Sequence, residues 1–139
     1  MPTLRPVPED GASQPVRDLY AEIKAGFGAG SVPAVYQVLA NNPALLEAAV
    51  DNRRRIMNAG ELDPTLKEWL AWATVTLANN QFGIKVHTAR LKRMGITSAQ
   101  IIEGLSVLQY FSGISAVING LAMDDDVDPA VVDFLAGSE

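Results

Sequence analysis

The chain has 139 residues, 48% of them hydrophobic and 19% charged, with a net charge of −5 and a pI near 4.8. That length fits one domain able to bury about two-thirds of its unfolded surface, and the composition is globular rather than disordered. An acidic chain without a basic face is a poor partner for nucleic acid, and the absence of cysteine excludes disulfides, thiolate metal sites and thiol catalysis together.

Residues 1–14 hold three prolines in the first ten positions and no apolar h-region, so they read as an N-terminal arm and not as a secretory signal. Residues 15–139 read as a single helical domain. Val16, Leu19, Tyr20 and Ile23 recur at helical spacing after Pro15, and Gly26 is expected to stop that run. Gly26, Gly28 and Gly30 form a G-x-G-x-G loop, but no strand precedes it, so it reads as a flexible connection and not a nucleotide cradle. Pro33 starts a short helix with Val35, Val38 and Leu39. Asn42 and Pro43 form an N-cap and first-turn pair that opens a helix carrying Leu45, Leu46, Ala49, Val50 and Ile56, closed by Gly60. Arg53, Arg54 and Arg55 splay over about 200° of that helix. They read as a solvated face from which one guanidinium could still hold a carboxylate.

Asp63 and Pro64 repeat the capping device and open a helix to about Asn79. Leu66, Trp69, Leu70, Ala73 and Leu77 form its expected packing stripe, and Glu68 falls beside it, in line with Trp72, Val75 and Asn79. The next helix is predicted over Phe82–Met94, with Gly95 as its cap. Its inward line reads Gly83, Ile84, His87, Leu91 and Met94, whereas Lys85, Arg90, Lys92 and Arg93 are assigned to other faces. Thr97 and Gln100 make a capping box for a helix that carries Ile101, Leu105 and Leu108 and runs to Leu121, with Gly113 as a place to bend. Ser106, Gly113, Ala116 and Gly120 form a line of small residues suited to close helix approach. Asp128 and Pro129 cap a last short helix, Val131–Leu135.

No segment sustains period-two alternation, so the expected fold is all-α, with about seven helices. The longest nearly apolar stretch read in this way, Trp69–Ala78, falls short of the roughly 20 residues a membrane span needs. A cytoplasmic protein with no membrane contact is the expectation.

His87 is the only histidine. A lone imidazole on an apolar helix face is ordinarily a packed residue, and a glutamate in the early turns of a helix is ordinarily there for the dipole. Taken together the two residues say more. Helices joined by the short turn at Asn79, Asn80 and Gln81 must form a hairpin or sharp bend, which brings Glu68 towards the middle of the next helix. The pair is then either a proton-transfer couple or a buried hydrogen bond that holds the hairpin. The acidic run Asp124, Asp125, Asp126 and Asp128 fails as a calcium loop, because Pro129 and Leu135 occupy the positions that need glycine and glutamate. No metal site and no cofactor are expected.

The stretch from ELDPTLKEWL through HTARLKRMGIT to Tyr110-x-x-Gly113, about residues 60–121, resembles the carboxymuconolactone decarboxylase superfamily, which includes the AhpD-like alkylhydroperoxidases. In AhpD-like members the histidine is preceded by C-x-x-C-x-x-x, and a glutamate and the histidine relay protons to the thiols. Here Glu68 and His87 match the relay, while Asn80 and Gly83 stand at the cysteine positions. The resemblance implies an AhpD-like helical bundle that forms a homotrimer or homohexamer, without thiol peroxidase or disulfide reductase activity. The decarboxylase branch implies acid–base chemistry, of lyase or isomerase type, on a small carboxylate or lactone. Glu68 and His87 would then be catalytic, with Asn80, Gly83 and Trp72 lining a ligand pocket in the space a cysteine has vacated. Arg53, Arg54, Arg55 and Lys85 are candidates for a substrate carboxylate. The alternative is a degenerate oligomeric binding or scaffold protein without turnover.

Overall fold

The computed structural model describes residues 3–123, 128–130, 133 and 137. Among them are six α-helices and no strand. The seventh expected helix, Val131–Leu135, lies outside the described residues apart from Asp133, as does the acidic run at 124–126. The chain forms two compact units, residues 1–64 and 65–139.

The first unit holds α1 (Gln14–Phe27), α2 (Ala34–Leu39) and α3 (Pro43–Asn58). Val16, Tyr20 and Ile23 of α1 meet Leu46 and Val50 of α3 in its core, as the periodicity requires. Asn42 caps α3 by accepting from the Leu45 N–H at 3.3 Å. The stop expected at Gly26 comes two residues later. Gly28 takes the left-handed conformation, φ 59°, that a C-cap needs, and α1 runs on to Phe27. The segment before α1 lies along this unit: Tyr20 donates its hydroxyl to the Val7 carbonyl at 2.8 Å, the Val7 N–H bonds Gln37 O at 2.9 Å, and Lys24 pairs with Glu9.

The second unit holds α4 (Pro64–Leu77), α5 (Gln81–Arg93) and α6 (Ser98–Gly120). Asn79 ends α4 in a left-handed conformation, φ 53°, which lets the Asn80 N–H return to Val75 O at 2.9 Å. Asn80 then starts α5, its side-chain oxygen accepting from the Gly83 N–H at 3.0 Å. Trp72, Leu91 and Ile101 form the core, one from each helix, with Trp69, Ala73, Ile96 and Leu108 around them. The Trp72 indole donates to Thr88 Oγ1 at 3.0 Å and so ties α4 to α5. Gly104 lets α6 close on α4, since a Cβ there would come within 2.7 Å of the Trp69 ring.

Two expectations need correcting. Of the α4 stripe, Trp69 and Ala73 pack against the core, but Leu66, Leu70 and Leu77 are 46–62% exposed, and the residues α4 buries fully are Glu68 and Trp72. These three leucines are apolar, and among the described residues they stay largely exposed. The longest apolar stretch is also not Trp69–Ala78. Among the described residues it is α6, a 23-residue helix holding an 18-residue window of mean hydropathy 1.5, long and apolar enough by length and composition to cross a membrane. Ser106 and Ser115 within it bond back to Ile102 O and Phe111 O, and the helix continues through Gly113.

Candidate acid–base site

Glu68 lies one turn into α4, on the face turned towards α5, with its side chain only 1% exposed. A carboxylate that deep needs partners for both oxygens. It finds both on α5: His87 Nδ1 lies 2.6 Å from Oε1, and Arg90 Nε donates to Oε2 at 3.0 Å. The two expected partners, 19 residues apart in sequence, are therefore in direct contact.

Arg90 was assigned to another face, and that reading is overturned. At i+3 it sits about 60° from His87 around the helix, so its long side chain reaches the same carboxylate. The i, i+3 spacing was the available signal. It was masked by the run of basic residues at the end of α5, which reads as complementing the helix dipole.

Burial is the largest single influence on the Glu68 carboxyl and pushes its pKa up. It is outweighed by the hydrogen bond from His87, the charge of Arg90, the charge of His87 and the hydrogen bond from Arg90, so the carboxyl lies below its usual value. An ionised carboxylate can only accept, which places the shared proton on Nδ1. Nε2 has no hydrogen-bond partner among the described residues, and none of their buried side-chain nitrogens or oxygens lacks one, so solvent reaches Nε2. The imidazole thus has one nitrogen anchored and the other open, an arrangement able to accept and return a proton.

The other expected site residues are placed differently. Trp72 is buried at 2% exposure, bonds Thr88, and edges an open groove of about 450 Å³ between α4 and α6 with Trp69, Gly104 and Val107. Asn80 spends its side-chain oxygen on the α5 cap. The space expected beside Gly83 is filled: a Cβ there would lie 2.9 Å from Val75 Cβ and 2.8 Å from Val75 Cγ1. The glycine exists for helix approach, so no vacancy remains on that side of α5. Arg54 is held by Glu22 and Asp51, Arg55 by Asp51, and Arg53 stacks 4.3 Å from the centre of the Phe27 ring. Each of these three arginines is engaged within the first unit.

Fold and site together define an all-α protein of alkylhydroperoxidase architecture that has no cysteine, with Asn80 serving as a helix cap and Gly83 as a helix contact. The fold matches the crystal structure of the alkylhydroperoxidase AhpD core from Rhodospirillum rubrum with a TM-score of 0.81 and 29% identity, over 95% of this chain and 98% of that one. Residues 43–126, more than half of the chain, match the carboxymuconolactone decarboxylase family, and the protein belongs to that family. It is also 29% identical over 113 residues to an (R)-2-haloacid dehalogenase of Pseudomonas putida, covering 78% of this chain but 36% of that protein. The chain therefore spans about a third of the length of that curated relative.

Two outcomes follow from this geometry. Gly83→Ala gains about 1 kcal/mol of helix propensity but forces a Cβ onto Val75, at a cost of about 1–3 kcal/mol. The variant should be the less stable protein in chemical denaturation, and adding Val75→Ala should make the Gly83 change cheaper. Additive effects of the two changes would contradict the contact. The depressed Glu68 value gives the second outcome. Its contribution to stability is complete above the unfolded carboxyl value of about 4.3 and is lost as pH falls through the lower folded value. Glu68→Gln, already weaker by about 1–3 kcal/mol at neutral pH, should lack that acid-dependent loss. Parallel stability–pH curves for the two proteins would mean that folding leaves the Glu68 carboxyl at its unfolded value, contrary to the depression that His87 and Arg90 impose.

Proposed function

We propose that the protein carries out acid–base chemistry on a small organic acid or lactone, with Glu68 and His87 as its working pair. The observation that carries this reading is the 2.6 Å contact from Glu68 Oε1 to His87 Nδ1, with Nε2 left open to solvent. In an isomerisation, Nε2 takes a proton from carbon beside a carbonyl, and the resulting imidazolium, stabilised by Glu68, returns it at another atom. In a decarboxylation, the bond to the leaving carboxylate breaks, carbon dioxide departs, the electron pair passes into the adjoining carbonyl system, and a proton drawn from solvent water through Nε2 quenches it. Neither route needs sulfur. The substrate class is supported by names alone: the family is named for a carboxymuconolactone and one relative for a 2-haloacid, both small carboxylated molecules.

A second reading is a homologue that assembles and binds without turnover. The filled space beside Gly83 and the use of Asn80 as a helix cap favour it, because both remove ligand room at the positions that match the thiols of AhpD-like members by resemblance. Both readings share a homotrimeric or homohexameric state. It is supported by α6, on which Ile102, Val107, Tyr110, Phe111 and Val117 are all more than half exposed. A helix apolar on every side belongs in an interior, and a second copy of the chain would supply one.

A panel of small carboxylates, lactones and 2-haloacids, scored by thermal shift and by product formation, separates the two readings. Under the first, at least one compound is turned over, and His87→Asn and Glu68→Gln lower its rate by about 10²–10⁴-fold. Binding without turnover, unchanged in both variants, leaves the second reading. For assembly, light scattering should give several times the 14.9 kDa chain mass, and Phe111→Asp should lower that value. A wild-type monomer would end the oligomer reading.

A further inference from the structure

Glu103 is the one charged residue among the 23 of α6. An acidic side chain on an apolar helix ordinarily has one of two local explanations, the positive end of the helix dipole or a basic residue one turn away. Neither applies here. Glu103 is the sixth residue of α6, beyond the first turn, and the residues three and four positions to either side are Gln100, Ala99, Ser106 and Val107. Among the described residues Glu103 makes no hydrogen bond or ion pair. It does line the groove between α4 and α6, where it is the one charged side chain among the lining residues.

The α4 wall of that groove is aromatic and held in place. Trp72 is fixed by its indole bond to Thr88, and Trp69 meets it edge-on with ring centroids 5.3 Å apart. Both rings reach the α6 backbone at Gly104, where a Cβ would come within 2.7 Å of Trp69 and 3.3 Å of Trp72. At about 450 Å³ the groove has the volume of a small-molecule site. Indole rings and a carboxylate favour the same ligand chemistry, a cation carried on an apolar body. The carboxylate repels organic anions, so this is not a second place for the small acids of the proposed reaction. We propose that the α4–α6 groove binds a small organic cation, an alkylated ammonium with an apolar arm. Its charge lies between Glu103 and the tryptophan pair, and its arm lies along Leu70 and Val107.

Trp69 and Trp72 are the two tryptophans of the chain and both line the groove, so the intrinsic fluorescence of the full chain reports on this place directly. Benzyltrimethylammonium should quench it saturably, in the millimolar range that about a dozen heavy atoms allow. Benzyl alcohol offers the same ring without charge, and benzoate offers the opposite charge. Glu103→Gln should weaken the cation by about 2–5-fold and leave the alcohol unchanged. Raising the salt concentration should do the same to the wild-type protein. Val107→Phe, at a half-exposed position on the groove wall, should weaken cation and alcohol together. An absence of saturable quenching by the cation overturns the proposal, whether the groove stays open or a second copy fills it. So does benzoate binding tighter than the cation. A substitution at Glu103 or a salt series that shifts cation and alcohol equally also overturns it, because the groove would then be apolar without selecting charge. The salt series needs only the wild-type chain, so a variant that fails to fold still leaves the outcome decided.

Discussion

A single buried charge organises the second unit. Placing the Glu68 carboxylate at 1% exposure costs several kcal/mol unless each oxygen is compensated, and both compensating groups come from one turn of α5. That requirement fixes the rotation of α5 about its own axis, since residues 87 and 90 must face α4 together. With the rotation fixed, Leu91 enters the core beside Trp72 and Ile101, and Thr88 meets the indole N–H. Helix packing and site geometry are thus one solution to one electrostatic demand.

The helix order could be read closely from the amino acids because its signals are local. Asn42–Pro43, the Thr97–Gln100 box and Gly95 act within a turn or two of themselves, and each lies within a residue or two of an observed boundary. The Glu68–His87 contact was also within reach, because a short turn leaves two flanking helices few ways to lie. Other features depend on what a residue faces, and periodicity does not report that. The α4 leucines are apolar yet about half exposed or more among the described residues, and the glutamate beside them is the residue that goes inside. Arg90 was missed for a related reason: a cation near a helix C-terminus has an adequate local explanation, which hides a tertiary one.

Membership of the carboxymuconolactone decarboxylase family sits with a complete lack of sulfur nucleophiles. Glu68 and His87 are in contact here, and Asn80 and Gly83, which lie between them in the chain, serve the backbone. Asn80 satisfies an N–H at the start of α5, and Gly83 admits Val75.

The close fit of Val75 against Gly83 has a consequence for engineering. Placing a thiol at position 83 would drive a new side chain into the valine, and placing one at position 80 would strip α5 of its cap. Neither step alone makes a disulfide, and each is damaging by itself. A redox-active pair at these two positions would therefore need Val75 trimmed and the start of α5 capped anew, because the backbone already occupies both places for its own purposes.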